Sequence, residues 1–186
     1  MQLEHAIRHR RAVRQFTEQP IARAVIERLI AAAMCAPSAV NKQPWFFTVI
    51  RDVQLLDRIS SESKKHLIAL IESGEAPQDF RDILSDPQFH ILYHAPVLIV
   101  VSTLKEDVWA KEDAALAAQN LMLSAFSEGL GTCWVGFAQR WLETKEGRKA
   151  IDVPEYYQPV APIILGHPKG SVPDVPRNLP VIHWIG

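Results

Sequence analysis

Arg10-Arg11-Ala12-Val13-Arg14-Gln15-Phe16 and, further along, Pro37-Ser38-Ala39-Val40-Asn41-Lys42-Gln43-Pro44-Trp45 are the stretches on which the reading of this chain turns. The first gathers guanidinium groups on a short turn. That arrangement suits a phosphate, because the planar fork of arginine donates paired, charge-assisted hydrogen bonds to phosphate oxygens. The second is a helix stop followed by a polar loop that feeds into an apolar strand. Taken alone, Arg8, Arg10, Arg11 and Arg14 would read as a solvated basic face, and Ser38, Asn41 and Gln43 as ordinary loop residues.

Outward from these stretches, helical and extended patterns alternate. Leu3, Ala6 and Ile7 mark a short amphipathic helix that ends in the arginine cluster. Val25, Ile26, Leu29, Ile30 and Ala33 share one helix face, and Pro37 stops that helix by lacking an N–H and disfavouring helical backbone at Ala36. Trp45–Ile50 is aromatic and β-branched, hence a buried strand. A helix follows from about Val53 to Ile71. Residues 72–88, with Gly74, Pro77 and Pro87, read as partly irregular. Pro96–Val101 is a strand whose unbroken apolar character predicts burial on both faces. Asp113 is expected to open a long helix, its carboxylate near the N-terminus, with Gly129 and Gly131 ending it. Thr132–Phe137 reads as a strand or strand entry, Lys145–Ile151 as a short helix, and Pro162–Leu165 as a last strand closing with Gly166.

The tail carries Pro168, Pro173, Pro176 and Pro180 yet ends in Val181-Ile182-His183-Trp184-Ile185, too apolar to hang free in water. An extended arm packed on its own body or on a partner subunit accounts for both facts.

Composition bounds the rest. The 186 residues, with 48% hydrophobic and 22% charged side chains, fit one soluble domain spanning 1–186. A formal net charge of −1 argues against nonspecific nucleic-acid binding. The N-terminus lacks a secretory apolar core, and no apolar run approaches a membrane span. Cys35 and Cys133, both among apolar neighbours, read as reduced core thiols, which favours a cytoplasmic location.

The arginine cluster, the Pro37–Trp45 loop, Trp134-Val135-Gly136 and the ending Leu165-Gly166-His167-Pro168 with Arg177 nine residues later together resemble the nitroreductase family of FMN-dependent oxidoreductases. The resemblance covers almost the full chain. It implies an α+β fold, a central mixed β-sheet flanked by helices with an extended C-terminal arm, assembled as a homodimer with two FMN sites at the interface. Arg10 and Arg14 match the phosphate and ribityl positions, Arg11 a position that also touches the cofactor, and Arg177 the arginine that returns to the flavin phosphate. Ala12 stands where many relatives carry Ser. Pro37, Ser38, Asn41 and Gln43 match a loop that reaches the flavin held mainly by the other protomer. Trp134, Val135 and Gly136 match the backbone that passes the flavin ring, where a main-chain N–H of Val135 or Gly136 faces N5. Residues 72–94 correspond to a region that often covers the flavin. The implied chemistry is a ping-pong cycle: NAD(P)H, a transient electron donor, delivers hydride to FMN N5, and a small electron-poor acceptor of nitroaromatic or quinone type takes the reducing equivalents. No side chain is required as acid or base.

Other constellations are weak. His90 and His94, four apart, are compatible with one helix face, but no HExxH pattern accompanies them, so no metal site is expected. There is no nucleophile elbow, dinucleotide fingerprint or Walker loop. The rival readings are a specialised flavin dehydrogenase or dehalogenase of one metabolite, a flavin-binding or regulatory protein without efficient turnover, and a cofactor-free basic-patch interaction protein.

Overall fold

The strand Val97–Leu104 shows how the sequence sorts itself into layers. In the computed structural model, which describes residues 2–186, its odd-numbered residues Val97, Ile99 and Val101 join one core and Leu98 and Val100 the other, all of them buried. Successive strand side chains point to opposite faces, so an unbroken apolar run is what a sheet covered on both sides demands.

The elements follow in the order α1 (Leu3–His9), α2 (Arg23–Met34), β1 (Trp45–Ile50), α3 (Val53–Glu72), α4 (Arg81–Ser85), β2 (Val97–Leu104), α5 (Ala110–Ser127), β3 (Gly131–Trp134), α6 (Gly136–Leu142), α7 (Lys145–Ala150) and β4 (Tyr157–Gly166). The sheet runs β1-β2-β4-β3. Every pair of strands is antiparallel, and the parallel component is the bridge between Ala12 and Thr132. On one face, Ile26, Leu29 and Ala33 of α2 and the small stripe Ala114, Ala117, Ala118, Leu121 and Ala125 of α5 pack against Ile163 and Leu165. On the other, Leu56, Ile59 and Ile71 of α3 and Ala138, Trp141 and Leu142 of α6 pack against Ile164, Cys133 and Val135. Each fully buried leucine or isoleucine contributes about 1.5–3 kcal/mol, so both layers are needed. Asp52 caps α3 by accepting from the Leu55 N–H at 2.7 Å.

The structure corrects several sequence expectations. α5 begins at Ala110, and Asp113 is buried one turn in, its carboxylate accepting from the Ala39 N–H at 3.1 and 3.2 Å instead of capping its own helix. Gly129 alone supplies the left-handed turn after α5 (φ 77°), whereas Gly131 belongs to β3. The strand expected over Thr132–Phe137 stops at Trp134 and becomes a helix at Gly136. β4 starts at Tyr157, five residues before Pro162, because the bulge opposite Val101 and Ser102 accommodates Pro159 without a ladder N–H. His90 and His94 lie in turns, not on a helix. Cys35 is exposed; only Cys133 is a core thiol. Residues 72–94 are irregular with the short helix α4 and are anchored by buried Leu84, Ile91 and Leu92.

The chain after Gly170 has no regular structure, and residues 178–186 are exposed. Val181 is fully exposed (101%) and Trp184 nearly so (86%), so the end of the arm does not pack on its own body. Among the described residues, no helix is long and apolar enough to cross a membrane.

Candidate functional site

Residues 10–17 leave α1 as extended backbone laid along the outer edge of the sheet. The Val13 N–H donates to Thr132 O, the Thr17 N–H to His167 O and the Lys169 N–H to Gln15 O, each at 2.9 Å. Two glycines allow this approach. A Cβ on Gly131 would stand 2.8 Å from the Val13 side chain, and one on Gly166 would stand 2.5 Å from Phe16 Cδ1. Extended backbone sorts side chains by parity. Ala12 and Phe16 pack on the α3–α6 core, and Arg10 and Arg14 share their parity.

The Arg14 guanidinium carbon is 5.9 Å from the centre of the Tyr93 ring, and Arg14 and Cys133 line one cleft. Arg10 adjoins Arg11, whose pair with Asp174 roots the arm, and the charge of Arg177 acts on Arg10. Burial first, then the like charges of Arg177 and Arg11, push its pKa below the ordinary arginine value. Burial pushes the Cys133 thiol up, opposed by Arg14 and Arg10. Among the described residues, Arg10, Arg14 and Arg177 have no ion-pair partner. Arg11 differs: it donates to Arg8 O at 2.6 Å, to Arg10 O at 3.0 Å and to Asp174 Oδ1 at 2.8 Å.

A cleft of about 290 Å³ opens beside Arg14, lined also by Tyr93, Cys133, Trp134, Gly136 and Phe137 among others. The Val135 N–H is not available to it, being donated to Pro162 O at 2.8 Å. Gly136 is the first residue of α6, so its N–H has no acceptor within the helix. Nothing lies within 4 Å of where its Cβ would be, which leaves the backbone open to a flat ligand.

The Ser38–Gln43 loop is elsewhere. It enters β1 at the Trp45–Thr103 end of the sheet, whereas the arginine segment flanks Thr132, Leu165 and Val97 at the other end and beyond the other edge. By ordinary sheet spacings the two are roughly 19 Å apart across the strands and roughly 20 Å apart along them. Val40, Asn41 and Gln43 all have left-handed backbone (φ 46°, 57° and 50°). Ser38 Oγ accepts from the Gln43 N–H at 2.9 Å, Gln43 Nε2 donates to Asn41 Oδ1 at 3.0 Å, and Lys42 pairs with Asp107 at 2.9 Å. A larger cleft of about 650 Å³ sits here, lined by Lys42, Lys105, Glu106, Asp107, Glu155 and Tyr156 among others, so that acidic side chains outnumber the lysines.

Sequence reasoning missed Tyr93 and Cys133. The strand parity of Cys133 with Val135 was the available signal for one; nothing marked Tyr93, whose φ of 52° is unusual for a tyrosine. It also missed that Asp57 joins His90 and His94, their ligand atoms all within 4.8 Å of one another. Within that trio His90 Nε2 meets Asp57 Oδ1 at 3.2 Å and the His94 backbone N–H donates to His90 Nδ1 at 3.3 Å.

Comparison with known proteins identifies the family and the fold. The chain is 29% identical over 177 residues to a provisionally named NADH dehydrogenase/NAD(P)H nitroreductase of Methanothermobacter thermautotrophicus, covering 90% of this chain and 78% of that protein. It is 28% identical to an iodotyrosine deiodinase of Haliscomenobacter hydrossis, covering 91% and 82%. The crystal structure of a nitroreductase with bound FMN from Bacteroides fragilis superposes with a TM-score of 0.86 over the whole of both chains at 23% identity, which establishes the fold. The family profile of nitroreductases matches residues 7–167, and the chain belongs to the nitroreductase family.

Proposed function

We propose that the protein is an FMN-dependent oxidoreductase whose two cofactor sites form between the protomers of a homodimer in the cytoplasm. The observation that carries this reading is Arg14, without a carboxylate partner among the described residues, lining a cleft with an open glycine backbone, with the equally unpaired Arg10 four residues back on the same segment and Arg177 just beyond the arm's root at Asp174. The residues fit FMN. Three cations match a phosphate dianion, and hydrogen bonds to charged groups contribute about 1.5–3 kcal/mol each.

When bound between these residues, FMN would supply hydride-transfer chemistry linking NAD(P)H to a nitroaromatic or quinone-type acceptor in a ping-pong cycle. The chain's own residues bind and orient. Arg10, Arg14 and Arg177 would hold the phosphate, while Arg11, nearly buried and already bonded, braces the start of the extended segment that carries Arg10 and Arg14. Of the two candidate N–H donors toward N5, Val135 is spent on Pro162, which leaves Gly136. A backbone donor there stabilises negative charge on the ring system in the reduced form, and Trp134 flanks it. Pro37, Ser38, Asn41 and Gln43 stand too far from the arginines to share one flavin within a chain, so they serve the partner's site. The uncovered end of the arm, Leu179 to Ile185, fits the same dimer, because such apolar residues find cover on a second copy.

The test is a visible spectrum of the purified protein, followed by anaerobic NADH and then NADPH. Flavin bands that bleach with either donor support the reading; a colourless protein that takes up no FMN overturns it. The deiodinase relative favours a second reading, reductive dehalogenation of one metabolite. Iodide release from iodotyrosine, compared with turnover of nitro and quinone acceptors, separates the two.

A further inference from the structure

Arg11 is the arginine of the cluster that has no free fork, and what it holds is the root of the arm. Its side chain is only 10% exposed, and its Nε is buried without a hydrogen-bond partner. One Nη binds the backbone at Arg8 and Arg10; the other binds Asp174, whose own side chain is 82% exposed. Among the described residues, this ion pair is the one polar side-chain tether of residues 171–186. Val172, Pro173 and Val175 line a shared cleft with Ala12 and Val13. Three residues past Asp174 comes Arg177, which the Arg11–Asp174 pair keeps within about 10 Å of chain from the Arg10–Arg11 segment, so that its charge and that of Arg10 repel. One tether with an exposed acid holds the arm, and one repulsion loosens it.

We infer that Arg11 and Asp174 form a latch: Asp174 is the positioning residue that sets Arg177 over the anion site, and a phosphate monoester bound between Arg10 and Arg177 locks the arm down. An anion there turns the Arg10–Arg177 repulsion into two attractions, so site occupancy and arm docking become one equilibrium. The inference rests on the phosphate-clamp reading above and adds a residue that never touches the ligand.

Limited trypsin digestion tests it, following cleavage after Arg177 by mass spectrometry with FMN, inorganic phosphate or riboflavin present. FMN and phosphate slow that cleavage about tenfold or more, and riboflavin, which lacks the phosphate, does not. Asp174→Asn abolishes most of the protection and weakens FMN about fivefold, leaving riboflavin affinity within about twofold, and Asp174→Glu restores both. A merely structural role for Asp174 would weaken FMN and riboflavin alike. Cleavage indifferent to FMN and phosphate, or an Asp174→Asn variant with the wild-type FMN-to-riboflavin ratio, overturns the latch. A protein that binds no FMN sinks the functional reading instead, and protection by inorganic phosphate alone then still decides the latch. Because Asp174 is largely exposed, its substitution leaves the fold intact.

Discussion

At the arginine corner Arg10, Arg14 and Arg177 stand without a carboxylate, whereas at the Ser38–Gln43 corner nearly every polar group is already bonded. The first corner rests on relaxed extended backbone pinned to the sheet. The second holds three non-glycine residues in left-handed conformation, each costing of order 1–3 kcal/mol, locked by Asp113, Ser38 and Asp107. Unpaired cations are an unfinished interaction and call for an anion. A strained, self-satisfied loop is a finished shape, ready to be offered to another molecule. On this view one corner supplies binding energy and the other supplies form, and substitutions should separate them.

The largest effect belongs to the cations. Arg10→Ala with Arg14→Ala should weaken FMN by about 100-fold or more, from two lost charge-assisted bonds of about 1.5–3 kcal/mol each, with much smaller loss for riboflavin. Flavin fluorescence quenching measures both. Equal losses for the two ligands would mean that these arginines do not meet the phosphate. A complementation experiment sharpens the contrast. Mixing this double variant with a Ser38→Ala, Gln43→Ala chain, after dissociation and reassociation, should restore about a quarter of the sites, because half the dimers are hybrid and each hybrid has one intact pair of corners. No recovery would place both corners on a site within one chain.

Next comes the ground beneath the arginines. Gly166→Ala puts a methyl 2.5 Å from Phe16 Cδ1 and 3.0 Å from Pro96 Cδ. Overpacking of this kind costs about 1–3 kcal/mol, and it lifts the segment that carries Arg14. The melting temperature and the FMN affinity should fall together. If only stability falls, the segment's seat on the sheet does not set the arginines.

The loop corner should respond in the opposite sense. Asp113→Ala leaves the Ala39 N–H without its acceptor, at about 1–2 kcal/mol. Stability and dimer-dependent flavin retention should drop while affinity for inorganic phosphate stays within about twofold. A parallel loss of phosphate affinity would join the corners and remove the distinction.

How much of this was legible in the sequence depends on which force wrote it. Parity in Val97–Val101 and the stops at Pro37 and Gly129 are local, and hydrophobic burial and backbone sterics dictate them residue by residue. The arginines, which alone read as a solvated basic face, could be named as candidates only through the family resemblance. What stayed hidden was relational. Nothing in Val135 reveals that its N–H goes to Pro162, since strand register decides that. Asp113 looks like its own helix's cap until the fold brings Ala39 to it from 74 positions away. Asp57 joins His90 and His94 only through the packing of α3 against the turn.

That turn supplies the smallest and last test. Tyr93 and His94 repeat the left-handed strain of the loop corner (φ 52° each), yet Tyr93 belongs to the arginine corner through Arg14. The His90 and His94 rings stack at 4.1 Å. Burial, then His94, hold His90 below the usual histidine pKa of about 6.5, with Asp57 opposing and Lys64 adding slightly. A depressed histidine stays neutral in the folded state while the unfolded chain takes up a proton. The stability it contributes is therefore complete above about pH 6.5 and is lost as pH falls toward the folded value. Thermal melts from pH 7.5 to 5 should show this loss, and His90→Gln should flatten it. If the strained turn also steadies Tyr93 under Arg14, FMN affinity should weaken over the same acid window in the parent protein and not in the variant. An affinity that ignores the window would assign the turn to the loop corner's kind, a finished shape with no hold on the cations.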